Sequence, residues 1–143
     1  MTSVDVGAQP PALIVRPRKA FWVVHDSARR ARATLQAFRE GCFDGALCYD
    51  ASGGSWDVTG AALDRPPTII QRILLHRRLP VTLELGPRRA ADLDDLVGRL
   101  REVLTSGSDF CDHLGAPAEQ VLGEMEAAES AEAVIGVAAR YAT

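Results

Sequence analysis

Residues 45–59 have the sequence Gly-Ala-Leu-Cys-Tyr-Asp-Ala-Ser-Gly-Gly-Ser-Trp-Asp-Val-Thr, and this pattern indicates a β-hairpin. Two segments rich in strand-forming residues, 45–50 and 55–59, flank the loop 52–54. A short glycine-containing loop between two such segments is typical of antiparallel strands that pair with each other. The pattern therefore predicts a sheet with neighbouring antiparallel strands.

Side chains alternate along a strand, so the hairpin residues divide between two faces. We expect one face, pointing to the core, to contain the apolar residues Leu47, Tyr49, Trp56 and Val58. Asp50 and Asp57 then lie together on the outer face. Two carboxylates placed in this way either do acid–base chemistry or bind a cation, or they simply form the solvated side of a half-buried sheet.

Other segments have the composition of strands. The apolar segments 12–16 and 20–25 flank the turn residues 17–19, which predicts a second hairpin or, alternatively, one bent strand. Residues 81–85 alternate between apolar and polar side chains, as expected for a half-buried strand. The chain is thus expected to form about five strands.

Apolar residues that recur at steps of three and four predict helices elsewhere. One such helix covers residues 28–42, and its other side is a basic stripe of Arg29, Arg32, Gln36 and Arg39. A second helix follows Pro66-Pro67, and its apolar face contains Ile69, Ile70, Ile73 and Leu74. Further helices are expected at 93–104, after Pro117, and after the capping residue Ser130.

These elements predict a single α+β domain. Its sheet is mixed or mostly antiparallel with about five strands, helices pack on one face, and the C-terminal region is helical. Residues 1–11 form a tail, 12–143 the domain, and 90–143 its helical part. A chain of 143 residues can bury a core without disulfides or a metal.

The net charge of −3 is unevenly distributed. Residues 1–40 carry seven basic against three acidic side chains, whereas residues 90–143 carry three basic against eleven acidic ones. This asymmetry either marks a charged partner or lets the two halves complement each other within one fold. The negative balance argues against nucleic acid as a partner, because phosphate binding depends on clustered Lys and Arg.

The composition also bears on location. Cys42, Cys48 and Cys111 are odd in number and widely spaced, which is typical of a reducing compartment. The N-terminal residues lack the regions of a signal peptide, and no apolar stretch is long enough to cross a membrane. We therefore expect a cytoplasmic protein that does not bind a membrane.

A small enzyme is one alternative function, with His25, Cys48, Asp50 and Asp57 as its candidate residues. A histidine beside a carboxylate can act as a base for a cysteine nucleophile, but neighbouring residues on a strand point to opposite faces. Cys111 and His113 could contribute to a transition-metal site, which would need further ligands. Phosphate-binding glycine loops and a nucleophile elbow are absent, so we predict no enzymatic activity, no metal and no cofactor.

Binding to another protein is the function that the sequence favours. The candidate contact residues are acidic or aromatic: Asp50, Trp56, Asp57, Glu119, Glu124 and Glu126. Glu119 and Glu126 are seven residues apart and share one helix face, so they predict an acidic surface suited to a basic partner.

The chain also resembles small bacterial immunity proteins of toxin–immunity systems such as contact-dependent inhibition. The resemblance rests on Phe21-Trp22-Val23-Val24, an Arg-rich helix, Leu47-Cys48-Tyr49-Asp50 and Ser55-Trp56-Asp57-Val58, and it covers about half of the chain. It implies a cytoplasmic inhibitor that occludes a cognate toxin, for example a basic, nuclease-like domain. A regulatory or assembly domain that forms a homodimer through its sheet or C-terminal helices is the other alternative.

Overall fold

A computed structural model describes residues 11–25, 30–73 and 78–142. Its strands are β1 (Ala12–Arg16), β2 (Ala20–Val24), β3 (Arg30–Thr34), β4 (Leu47–Asp50), β5 (Gly54–Leu63), β6 (Arg78–Leu85) and β7 (Arg89–Ala90). All pairs are antiparallel in the order β2-β1-β4-β5-β6-β3, and β7 pairs with β5. The α+β class is confirmed, with a sheet of seven strands in place of about five.

The helices in the described residues are α1 (Leu35–Arg39), α2 (Ile69–Ile73), α3 (Leu93–Leu104), α4 (Ala118–Ala127) and α5 (Ala131–Tyr141). A 3₁₀ turn at Asp109–His113 joins α3 to α4. Pro117 directly precedes α4, and the hydroxyl of Ser130 caps α5 by accepting a hydrogen bond from the Ala133 N–H at 3.1 Å. The predicted helical C-terminal region is therefore confirmed.

The hairpin of β4 and β5 has a register that divides its residues differently from the prediction. Cys48 lies opposite Trp56, and Leu47 lies opposite Asp57. The turn occupies residues 51–53, and Gly53 at its end has a φ of +84°, a conformation that glycine adopts without strain. A register shift of one residue moves a whole strand to the other face. The expected grouping of Leu47 and Tyr49 with Trp56 and Val58 is therefore wrong.

The first core lies between the sheet and the C-terminal helices. Leu13, Val15 and Tyr49 project from one face of the sheet and pack in a single cluster with α3, α4 and α5. α3 contributes a continuous apolar stripe that includes the buried residue Leu100. The three C-terminal helices therefore pack on this face, whereas Phe38 of α1 packs against the second core described next.

The second core covers the opposite face of β1. Ala12 and Ile14 pack in one cluster with Trp56 and with Val81 of β6. β5 connects the strands that contribute to this core. Its first half pairs with β4 and its second half pairs with β6, with an irregularity in the register between Val58 and Gly60. β1 is consequently buried on both faces.

The predicted helix at 28–42 is wrong for most of its length. Arg30–Thr34 is an edge strand that pairs with β6, and helix α1 starts only at Leu35. Ala31 and Ala33 alternate with arginines, and this period of two places both alanines in the second core. Tertiary pairing with β6 therefore overrides the local helical spacing. Ala28 and Arg29 lie outside the described residues.

Two other predictions concern the ends of the chain and the membrane. Residues 1–10 of the predicted tail lie outside the part that the structure describes. None of the described helices has the length and apolar character needed to cross a bilayer.

Candidate functional site

The hairpin carboxylates do not form a pair. Asp50 is 1% exposed and projects from the face that bears Cys48 and Trp56. Its Oδ1 accepts hydrogen bonds from the N–H of Ser52 at 3.0 Å and from the N–H of Gly54 at 3.2 Å. Asp50 therefore closes the β4–β5 turn, and the expected outer-face pair with Asp57 is wrong.

Asp57 lies on the other face of the hairpin, half-exposed, beside Leu47. Its carboxylate accepts a hydrogen bond from the guanidinium of Arg89 at 2.5 Å, which ties β5 to β7. An exposed ion pair of this kind contributes little to stability, about 0–1 kcal/mol. Asp57 remains accessible to a partner, whereas Asp50 does not.

The other residues of the enzyme alternative are also separated. Cys48 is fully buried in the second core, and burial, together with the nearby Asp50 carboxylate, raises the pKa of its thiol to about 12. A thiol of that pKa is a poor nucleophile near neutral pH. His25 is exposed, directly after the end of β2. A hollow of about 200 Å³ lies between the β4–β5 turn and the start of α3, and Asp50 is the only one of the four that lines it.

The predicted aromatic contact, Trp56, is a core residue. It is 3% exposed, and the guanidinium of Arg88 lies 5.9 Å from the centre of its ring. Trp22 is half-buried and packs edge-on against Phe43, with 5.6 Å between ring centres. In this structure, Trp56 therefore offers no surface to a partner.

The acidic residues of α4 take part in contacts between helices. Glu124 accepts hydrogen bonds from the hydroxyl of Tyr141 and, at 2.7 Å, from Arg140 on α5. The hydrogen bond from the Tyr141 hydroxyl is the largest single cause that lowers the pKa of the Glu124 carboxyl, and Gln120 and Arg140 lower it further. Glu126 accepts from Arg101 of α3 at 2.8 Å, and Glu119 is exposed. Two of the three predicted acidic contacts are therefore matched by arginines of the same chain.

Cys111 and His113 lie in the 3₁₀ turn. The Cys111 thiol is half-buried and donates to the carbonyl of Val103 at 3.5 Å, while His113 is exposed. Within residues 11–25, 30–73 and 78–142, no group of three or more His, Cys, Asp or Glu side chains is arranged to hold a metal ion.

The connection between β5 and β6 contains large apolar side chains that the fold does not bury. In the described chain, the large apolar side chains that remain exposed are Ile69 at 76%, Ile70 at 63% and Ile73 at 71%. Burial of one isoleucine contributes about 1.5–3 kcal/mol, so their exposure forgoes several kcal/mol of stabilisation. These residues form the predicted apolar face of α2, and Leu74, which completes it in the sequence, lies outside the described residues.

These exposed isoleucines lie on a helical turn whose start is held by two hydrogen bonds. The Thr68 hydroxyl accepts from the N–H of Gln71 at 3.1 Å, and the Gln71 side chain accepts from the N–H of Thr68 at 2.9 Å. This reciprocal pair is a capping box, which satisfies two backbone donors at the start of a helix. Pro66-Pro67 stiffens the chain just before it. We call the segment 65–73, with its three exposed isoleucines, the α2 knuckle.

Exposed arginines lie within the α2 knuckle and close to it along the chain. Arg65, Arg72 and Arg78 are exposed, and Arg78 lies opposite Thr34 at the end of the β3–β6 pair. None of these three makes an ion pair with another described residue, in contrast to the arginines paired with Asp57, Glu124 and Glu126. The knuckle thus combines three exposed isoleucines with exposed arginines that are close to them in sequence.

The acidic segment 90–143 forms the helical layer over the first core, whereas the knuckle lies in the connection between β5 and β6. Sequence reasoning identified the apolar face of α2 but not its exposure. The signal that could have found it is the density of arginines around the isoleucines, since four arginines and one aspartate occur in residues 64–78.

Comparisons of this chain with protein-family models, with curated proteins and with solved structures find no match.

Proposed function

We propose that this chain is a small cytoplasmic protein that binds a partner protein stoichiometrically and neutralises it, as an immunity or inhibitor protein neutralises its toxin. The observation that carries the proposal is the exposure of Ile69, Ile70 and Ile73 on a capped, preorganised helical turn. Exposed apolar side chains with a polar rim are characteristic of interaction sites. Binding requires less loss of conformational freedom when the contacting element is already ordered.

The position of the other candidate residues supports binding rather than catalysis. His25, Cys48 and Asp57 occupy an exposed bend, a buried core and the opposite face of the hairpin. General base, nucleophile and substrate must meet within hydrogen-bond reach, which this arrangement does not provide. The knuckle, in contrast, needs only a complementary surface.

The test is a rescue experiment in the cells that encode the chain. A tagged copy is used to capture its partner, and the captured protein is then expressed alone and together with this chain. We expect growth inhibition in the first case and protection in the second, with a one-to-one complex on gel filtration. The variant Ile70→Glu/Ile73→Glu should fold normally and fail to protect.

A matched variant on the acidic surface completes the design. Glu119→Lys changes an exposed residue of α4 and should retain protection if the knuckle is the contact surface. Equal protection by the wild-type chain and by the isoleucine variant would contradict the proposal. A catalysed change in the captured protein, with turnover, would replace it with an enzymatic function.

A further inference from the structure

We propose that the α2 knuckle docks into an apolar groove of the partner protein and that carboxylates form the rim of this groove. The inference rests on the proposed function and specifies the partner's contact surface. Three isoleucines on one helical turn form a compact apolar anchor, which is the geometry of a helix that inserts into a groove. Ile69 and Ile73 are one turn apart, and Ile70 lies beside them on the same side of α2.

Charge determines the character of the groove's rim. Arg65, Arg72 and Arg78 are exposed, and within the described residues they make no ion pair. A guanidinium binds a carboxylate through two parallel hydrogen bonds, so unpaired arginines beside an apolar anchor favour carboxylates on the facing surface. Complementary charge raises the association rate and fixes the orientation of the docked surface.

A second copy of this chain fits the knuckle less well. In a two-fold contact the knuckle meets the same patch on the other copy, which brings arginines against arginines. A contact from the knuckle to the acidic helical layer of another copy is heterologous and would generate a ring or a filament of copies. Glu124 and Glu126 of that layer are, moreover, already paired with arginines.

An anionic membrane surface is also disfavoured. The chain has a net charge of −3, and residues 90–143 carry eleven acidic side chains against three basic ones. Repulsion between this layer and acidic headgroups opposes the attraction of the knuckle arginines. A protein groove with local carboxylates engages the arginines without approaching the rest of the chain.

The experiment exploits Lys19, which is the only lysine of the sequence and lies in the β1–β2 turn. The variant Arg72→Lys places a second lysine side-chain amine in the chain, at a position within the α2 knuckle. A carbodiimide joins an amine to a carboxylate that contacts it, so treatment of the complex with the purified, captured partner tests the rim directly. We expect a cross-link from position 72 to an Asp or Glu of the partner, located by mass spectrometry, and none from position 72 in the wild-type complex.

Affinity measurements separate this inference from the proposed function. Arg65→Glu/Arg72→Glu should weaken binding of the captured partner at least about tenfold, and added salt should weaken the wild-type complex. If Ile70→Ser/Ile73→Ser abolishes binding while the arginine variant binds normally and no cross-link forms, the acidic rim is refuted and the proposed function stands. If both variants bind normally, or if no protein is captured, the proposed function fails as well.

Two further measurements on the wild-type chain address the other occupants. Sedimentation should give a monomer at high concentration, and flotation with vesicles of phosphatidylcholine and phosphatidylserine should leave the chain unbound. A dimer that the isoleucine variant disrupts would replace the partner groove with a second copy. Vesicle binding lost in the same variant would replace it with a membrane surface.

Discussion

Asp50 and Asp57 project from opposite faces of the sheet, although they lie on paired strands of one hairpin. The pairing of Cys48 with Trp56 produces this relationship, because directly opposed residues share a face. Asp50 is enclosed beside the second core, and Asp57 reaches solvent at Arg89. The two carboxylates should therefore contribute differently to the stability of the fold.

Removal of Asp50 should destabilise the fold far more than removal of Asp57. Asp50→Ala leaves the N–H groups of Ser52 and Gly54 without their acceptor, and a buried unsatisfied donor costs about 1–3 kcal/mol. Asp57→Ala removes a half-exposed ion pair and should cost about 0–1 kcal/mol. Urea denaturation of both variants measures the difference. Equal losses would contradict the division of the hairpin into two faces.

The isoleucines of the knuckle should contribute almost nothing to stability. We expect Ile73→Ser to change the free energy of unfolding by no more than about 0.5 kcal/mol, because the side chain is 71% exposed. The same substitution at Ile14, which is fully buried in the second core, should cost about 3 kcal/mol or more. Thermal and urea denaturation of the pair provide the comparison. A large loss for Ile73→Ser would mean that the knuckle packs within the chain.

Alkaline pH should weaken the fold through Tyr49. Burial and, next in size, the Asp95 carboxylate, 3.3 Å from the hydroxyl oxygen, raise the pKa of this hydroxyl to about 12. The pKa of an unfolded tyrosine is about 10. Because the folded value is higher, this contribution to stability is complete below about pH 10 and is lost as the pH rises to about 12. Tyr49→Phe should show a smaller loss of stability than the wild type over that range, measured by urea denaturation.

The contact between α4 and α5 should be visible in the titration of Glu124. The hydrogen bond from the Tyr141 hydroxyl, together with Gln120 and the charge of Arg140, holds the pKa of this carboxyl below its ordinary value. Tyr141→Phe should raise it, as followed by NMR of the side-chain carboxyl carbon against pH, and Arg140→Gln should raise it as well. A carboxyl whose pKa is lower in the folded state stabilises the fold above its unfolded pKa, and this stabilisation is lost as the pH falls. Tyr141→Phe should therefore lose less stability on acidification than the wild type. An unchanged Glu124 titration in Tyr141→Phe would refute the contact.

Local signals predicted many elements correctly. The glycine loop between 45–50 and 55–59 marks the hairpin, and Ser130 marks the start of α5. Both depend on residues close in sequence, whose capping or turn geometry is largely local. The helix predicted at 28–42 failed because the partner of Ala33 is Leu79, far along the chain, and local spacing carries no information about that pair.

The candidate site was harder to predict than the fold. The sequence placed Asp50 on the outer face of the hairpin, yet it is buried, because the register of a hairpin depends on one residue in its turn. Trp56, also named as a contact residue, is buried in the second core, as its predicted inward position indicates. The apolar face of α2 was evident from its spacing. Whether such a face packs on the core or remains in solvent depends on where its connection leaves the sheet.

By itself, the amino-acid sequence determined the α+β class, the two hairpins, the C-terminal helices and the separation of charge along the chain, since each follows from local pattern or composition. The tertiary structure alone decided that β5 pairs with both β4 and β6, that Asp50 is buried, and that Ile69, Ile70 and Ile73 face solvent. The physical reason is that exposure is a property of the whole packed chain. Strand pairs between residues distant in sequence determine which of several apolar faces are covered.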